Sequence, residues 1–215
     1  MKPGVKDGVK QGVKRFALLL MLAWGAAGAA PFSHKLHLGL KLECVTCHTA
    51  AASSTKVSDN LLPEKMACTG CHKDVEIPSP PASRVAFFSH AQHLKMGNIA
   101  PVIAAAIDKS TYLQPPGDIR RHLNTGNACE ACHRGLRESE QVTPAAMPQM
   151  ADCLVCHTEI DNPFSCEKCH AKDAQLKPAS HVPGYMSIHN SGKANLDKAS
   201  CVVCHGRNFR CLGCH

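Results

Sequence analysis

The stretch FSHKLHLGLKLECVTCH, residues 32–48, contains both kinds of residue that decide how this chain folds. It ends in CVTCH, two cysteines three positions apart and followed at once by histidine. C-x-x-C-H is the attachment motif of c-type haem, in which two thiols bond the porphyrin and the adjacent imidazole reaches the iron. Earlier in the stretch, His34 and His37 lie outside any such motif. The stretch therefore offers one attachment motif and two spare histidines.

All 14 cysteines of the 215-residue chain occur in C-x-x-C pairs, and a histidine follows each pair. Zinc ribbons need no histidine after every pair, thioredoxin-like sites carry a single C-x-x-C, and a disulfide framework gives no reason for one uniform spacing. The sequence therefore predicts seven covalently attached haem c groups. Numbered in chain order, sites one to seven are Cys44/Cys47/His48, Cys68/Cys71/His72, Cys129/Cys132/His133, Cys153/Cys156/His157, Cys166/Cys169/His170, Cys201/Cys204/His205 and Cys211/Cys214/His215.

The histidines outside the motifs match the sites in number. Of 14 histidines, half follow a cysteine pair, and the others are predicted to be distal iron ligands opposite the motif histidines. Two of them precede sites one and two, three precede sites three to five, and two precede sites six and seven. Methionine is the alternative ligand, but no spacing singles one out. The predicted distal ligands are His34, His37, His90, His93, His122, His181 and His189.

The amino terminus has the pattern of an export signal. Basic residues within 2–15 precede a short apolar run, 16–24, and Ala27-Gly28-Ala29 forms a cleavage site, which predicts a signal peptide over 1–29. An uncleaved membrane anchor over 16–32 is the alternative, at the lower limit of length for a span. No cysteine follows the apolar run, so no lipid anchor is expected. The predicted location is the periplasm.

Composition indicates a poor side-chain core. Aromatic residues make up 4% of the chain, and its only tryptophan, Trp24, lies in the predicted signal peptide. The expected fold class is mainly irregular and α, with short helices and loops wrapped around a chain of seven haems and little or no β-sheet. One helix is predicted over 98–108, with Asn98 as its cap, and its expected role is to cover haem faces. The net charge of +7 would be offset by haem propionates, so nucleic-acid binding is not inferred.

An internal repeat divides the chain. FSHKLHLG at 32–39 matches FSHAQHLKMG at 88–97, and sites one and two begin 24 residues apart, as do sites three and four. The predicted modules carry two, three and two haems. They span 30–77, 84–170 and 178–215, with linkers at 77–83 and 171–180.

FSHxxH followed by closely spaced C-x-x-C-H resembles the class III multihaem cytochromes c, small periplasmic electron carriers. Residues 32–72 and 88–170 carry this likeness, and the tail from 180 onward resembles the terminal doublet of larger exported multihaem cytochromes. The resemblance implies that the two histidines of each FSHxxH ligate different irons.

The expected function is electron transfer within or across the periplasm through low-potential bis-histidine haems, without enzymatic activity. Expected partners are redox proteins: a membrane quinol dehydrogenase, an outer-membrane cytochrome or a terminal reductase. Two alternatives remain, a multihaem reductase with one open haem and a subunit of a cytochrome filament. Site seven, at the end of the sequence, is expected to be an exposed port for electrons, unless the other modules pack over it.

Overall fold

The computed structural model describes residues 32–80, 82–157, 166–178, 181–189 and 201–205. They all belong to one compact unit, Phe32–His215, and the remainder of the chain, Met1–Pro31, forms a second unit. The predicted signal peptide and site seven lie outside the described residues.

Short helices joined by irregular segments make up the described part of the chain, and no strand occurs in it. The predicted fold class, short helices without sheet, is confirmed. The α-helices are α1 His34–Gly39, α2 Cys44–Cys47, α3 Met66–Thr69, α4 His90–Lys95, α5 Ala100–Asp108, α6 Ile119–His122, α7 Met150–Leu154, α8 Tyr185–Ile188 and α9 Val202–His205. The 3₁₀ helices are Thr49–Ala52, Ala128–Ala131, Pro144–Ala146 and Cys166–Lys168.

The attachment motifs explain why so many helices are a single turn long. At sites one to five, the backbone N–H of the motif histidine donates to the carbonyl of the first cysteine, at 2.9 Å in each case. One hydrogen-bonded turn places positions i, i+3 and i+4 on one face. The two thiols and the imidazole therefore face the same side, as a covalently bound haem requires.

Helix α5 is the longest helix in the described ranges, with nine residues, and it forms the centre of the side-chain core. Ile103 is 1% exposed and packs in a buried cluster with Tyr112, Leu123 and several alanines. The helix predicted over 98–108 is thus present. Its backbone N-cap is Ile99 rather than Asn98, although the Asn98 side chain accepts a hydrogen bond from Ala100 N at 3.0 Å. Its apolar face packs against polypeptide, whereas the sequence suggested a cover for haem.

The first and second predicted modules contact each other. Ala91 N donates to Ser54 O at 2.9 Å, and Lys35 Nζ lies 3.2 Å from a carboxylate oxygen of Glu140. Residues 75–80, at the start of the predicted linker, are irregular and mostly exposed. The division into three modules stays a prediction. None of the described helices is long and apolar enough to cross a bilayer.

Candidate haem-binding sites

The two FSHxxH segments fold into matching helical turns. Ser33 Oγ accepts a hydrogen bond from Leu36 N at 3.1 Å, and Ser89 Oγ accepts one from Gln92 N at 3.3 Å. Each serine is the N-cap of a six-residue helix, α1 or α4. Serine is among the preferred residues there because its oxygen satisfies an N–H with no partner inside the helix. The serine therefore fixes the turn on which both histidines of its segment lie.

The phenylalanine before each serine holds both imidazoles. Phe32 stacks on His37, with ring centres 4.3 Å apart, and meets His34 edge-on at 4.8 Å. Phe88 makes the same two contacts in the second copy, also at 4.3 and 4.8 Å. Sequence reasoning gave these phenylalanines no role, although both copies of the repeat contain the FSH signal. Aromatic packing of this kind restrains the ring orientation of a ligand.

At five sites a motif histidine faces a predicted distal histidine. The two rings are separated at their centres by similar distances throughout. The pairs are His34–His48 at 6.3 Å, His37–His72 at 6.1 Å, His90–His133 at 6.4 Å, His93–His157 at 6.2 Å and His181–His205 at 6.2 Å.

These separations fit one metal ion between two imidazoles. A metal–nitrogen bond of about 2.0–2.1 Å, with about 1.1 Å more from nitrogen to ring centre, puts two opposed imidazoles about 6.2–6.4 Å apart. In the described ranges, no group of three or more metal-binding side chains comes together. Two axial nitrogens next to a cysteine pair are the donor set that a bis-histidine haem c takes from its protein.

Hydrogen bonds at several histidines leave Nε2 available for iron. A carbonyl oxygen can only accept, so an Nδ1 within hydrogen-bond distance of one must carry the proton. This fixes the tautomer in the way that a metal-ligating histidine requires. The bonds are His37 Nδ1 to Ser33 O at 2.8 Å, His93 Nδ1 to Ser89 O at 2.8 Å, His48 Nδ1 to Leu61 O at 2.7 Å and His170 Nδ1 to Arg84 O at 2.6 Å.

Burial favours the neutral imidazole that a metal needs. Burial lowers the pKa of His34, and the nearby rings of His48 and His37 lower it further. Burial likewise lowers the pKa of His90, with His93 as the second cause. Only an unprotonated nitrogen can bind iron, so these shifts prepare both side chains for ligation.

The motif cysteines differ in exposure between sites three and four. Burial raises the pKa of Cys132, in site three, to about 11, and the Asp152 carboxylate is the second cause. Cys156, the second cysteine of site four, is exposed instead. The expectation of a chain wrapped around its haems is not met at Cys156, because α7 buries an alanine, an aspartate and a leucine on its core side. Cys156 N donates to Cys153 O at 3.2 Å, so the attachment turn is present. Haem attachment at Cys156 stays a prediction.

The imidazole planes fall into two classes. At sites one, three and six the planes are within 7°, 11° and 8° of parallel. At sites two and four they are tilted by 41° and 47°. The classes follow the repeat, because site one matches site three and site two matches site four. The FSHxxH turn thus sets both the position and the orientation of each imidazole.

His122, a predicted distal ligand, has a different environment. Arg121 Nε donates to its Nε2 at 3.1 Å, and its Nδ1 lies 3.7 Å from a Glu138 carboxylate oxygen. Among the described residues, its ring contacts no motif histidine. Its role as a ligand stays a prediction, and ligation would require Nε2 to exchange Arg121 for iron.

The carboxyl-terminal sites are described in part. Tyr185 stacks on His181 at 5.1 Å and 6°, and the tilted ring of His189 lies 5.6 Å from Tyr185 on its other side along the chain. His189 was predicted to serve one of the last two sites. Cys211, Cys214 and His215 fall outside the described residues, so its partner stays a prediction.

A buried ion pair connects sites three and four. Arg134, directly after His133, places Nη2 2.6 Å from an oxygen of Asp152, and both side chains are 2% exposed. Asp152 also accepts from Tyr112 Oη at 2.8 Å and from Gln149 N at 2.7 Å. Burial raises the pKa of Tyr112 and the Asp152 carboxylate raises it further, so the phenol remains a donor. Sequence reasoning missed this network because its members are 18 and 40 positions apart.

Comparisons with known proteins agree with this chemistry. The profile of the family described as cytochrome c7 and related cytochrome c matches residues 30–83. Multiheme cytochrome MtrA of Shewanella baltica is 24% identical over 197 residues, which cover 79% of this chain. The match covers 56% of the MtrA sequence, so the chain spans about half of that relative's length. No solved structure gives a significant match. Both matches fall on a chain with recurring haem-attachment motifs and show that it is a multihaem c-type cytochrome.

Proposed function

We propose that this cytochrome is a seven-haem electron carrier whose irons have histidine on both axial positions. The observation that carries the proposal is the set of five opposed imidazole pairs, with ring centres 6.1–6.4 Å apart. Each haem, when bound, supplies a one-electron ferric–ferrous couple. The protein holds two imidazoles in place, fixes their tautomers and shields them from protonation.

Closed coordination favours electron transfer over catalysis. An iron with two axial imidazoles has no position for a substrate, and imidazole in place of methionine keeps the potential low. A reductase needs an open site. The described residue that contacts the His170 ring at Nδ1 is Arg84, and His122 is held by Arg121 and Glu138. Site five is therefore where an open iron would be sought first.

The location and partners follow from the amino terminus and the relatives. The predicted signal peptide over 1–29 supports export to the periplasm, where covalent haem attachment takes place. The matched relative is named as a multihaem cytochrome, which supports other redox proteins as partners. A membrane quinol dehydrogenase, an outer-membrane cytochrome and a terminal reductase each fit a periplasmic carrier.

The experiment replaces one distal ligand and leaves its aromatic support in place. In the ferric protein, His37→Ala removes the imidazole opposite His72, so one haem should become high spin and bind cyanide or carbon monoxide. The matched control is Phe32→Leu, which removes the stacking contact and keeps both ligands, so every haem should stay low spin. A His37→Ala protein with an unchanged electronic spectrum would exclude His37 as a ligand.

His122 is tested in the same way. If it ligates site five, His122→Ala creates one further high-spin haem. If the wild-type protein already contains one high-spin haem and His122→Ala leaves the spectrum unchanged, the reductase alternative gains site five as its candidate centre.

A further inference from the structure

Site one touches site three directly. Asn127 Nδ2 donates to Cys44 Sγ at 3.6 Å, and Asn127 Oδ1 accepts from Cys129 N at 2.9 Å. Cys44 is the first cysteine of site one and Cys129 is the first cysteine of site three. One amide side chain therefore links two attachment sites that are separated in the sequence by site two.

The backbone brings the same two sites together. Ser54, six residues after His48, accepts from Ala91 N at 2.9 Å and from Ser89 Oγ at 3.3 Å. Both donors belong to the start of α4, which carries His90, the imidazole opposite site three. The proximal side of site one thus packs on the helix that serves site three.

Site two lies on the other side of site one. Helix α1 carries His34 and His37, which face the motif histidines of sites one and two. Three positions on a helix are one turn apart, so the two irons share a single turn. Burial raises the pKa of Cys47, and the Cys68 thiol of site two is the second cause, which places the two sites side by side.

The later sites continue in chain order. Helix α4 carries His90 and His93 for sites three and four, and the Arg134–Asp152 pair joins the same two sites. Site five is tied to the approach to α4, since Cys169 O accepts from Ala86 N at 2.7 Å. Burial raises the pKa of Cys204, with the Cys166 thiol second, so site six lies beside site five.

We infer that the described sites form a row in the order two, one, three, four, five, six, and that electrons enter or leave at site two. In chain order, site one would be the end. In this structure site one has a neighbour on both sides, whereas the contacts of site two among the described residues lead to site one. His72 and Cys71 of site two are exposed, so a donor or acceptor can reach it. The inference deepens the proposed function and rests on haem occupying these sites.

Iron positions test the order without any variant. Anomalous scattering at the iron edge from crystals of the haem-loaded protein locates each iron, and the bound cysteines identify its site. The expected result is that the site-one iron lies nearer to the site-three iron than the site-two iron does. A site-two iron between those of sites one and three would overturn the order.

Electron departure from site two tests the port. After haem loading, all native cysteines form thioethers, so Glu76→Cys provides one thiol, four residues after His72, for a ruthenium photoreductant. In wild type, electrons delivered to site two should pass rapidly to the other haems. Removal of site one by Cys44→Ala with Cys47→Ala should abolish this fast phase. The matched control, Cys201→Ala with Cys204→Ala at the far end of the row, should retain it.

A fast phase that survives the loss of site one would overturn the inference, because site two would then have another neighbour. Failure of the proposed function looks different. Mass spectrometry of wild type would show too few haems, or its ferric spectrum would be largely high spin. If the site-one variant does not fold, the iron positions of wild type still decide the order.

Discussion

Replacement of Arg134 by methionine should destabilise the protein far more than the loss of an exposed ion pair. The Arg134–Asp152 contact is 2.6 Å long, and each side chain is 2% exposed. Methionine fills much of the same volume but leaves the Asp152 carboxylate buried without its cation. Removal of one partner from a buried pair costs about 3–5 kcal/mol, chiefly because the other charge stays uncompensated.

The chain contains a matched control. Arg120 and Asp108 form a pair of almost the same length, 2.7 Å, but their side chains are 46% and 53% exposed. Water solvates both groups whether or not they are paired, so Asp108→Asn should cost about 0.2–1 kcal/mol. The two variants remove pairs of like chemistry and length and differ in burial.

A double variant separates lost attraction from stranded charge. Asp152→Asn keeps an oxygen that can accept from Tyr112 Oη and Gln149 N, the bonds seen at 2.8 and 2.7 Å. Combined with Arg134→Met, it leaves no buried charge at this position. The double variant should therefore be more stable than Arg134→Met alone, by about 1–3 kcal/mol, the cost of one unsatisfied buried group.

The assay is guanidinium unfolding of the haem-loaded protein, followed by far-ultraviolet circular dichroism and by the Soret band. Coincident transitions by both probes establish that one unfolding free energy describes each variant. The reasoning is refuted if Arg134→Met unfolds at the same midpoint as Asp108→Asn, or if the double variant is no more stable than Arg134→Met.

Three further outcomes are expected. Mass spectrometry of periplasmic protein should show seven haems and no free thiol, whereas fewer haems would contradict the reading of the motifs. Ser89→Ala should cost about 1 kcal/mol of stability through loss of the α4 cap, and the same change at exposed Ser53 should cost measurably less in the same denaturant titration. Limited proteolysis should cut first within 77–83, because proline there removes amide donors, and denaturing gels should then show a two-haem and a five-haem fragment; resistance to cleavage would indicate a continuous packed structure.

Local pattern predicted much of the fold. The uniform C-x-x-C-H spacing indicated single-turn attachment sites, and the repeat of FSHxxH indicated two equivalent turns. Both are present, because a hydrogen-bonded turn and a serine cap depend on residues within four positions. The helix over 98–108 was predictable for the same reason.

Contacts between distant residues were not predictable in this way. His122 lies seven residues before Cys129, as His37 lies before Cys44, and that spacing alone made the two look equivalent. The structure instead gives His90 the place that the repeat assigns to His34. Similarly, nothing local links Asn127 to Cys44, a contact across 83 positions that sets the order of the sites. Packing of separate segments decided these features.

The central claim, that opposed histidines ligate the irons, is tested most directly by the integrated electron paramagnetic resonance spectrum of the fully oxidised protein. The account predicts at least five low-spin ferric haems per chain, one for each imidazole pair. The relative tilt of two axial imidazoles changes the splitting of the iron d orbitals. The near-parallel sites one, three and six should therefore differ in g anisotropy from the tilted sites two and four. High-spin signals from three or more haems per chain would contradict the account.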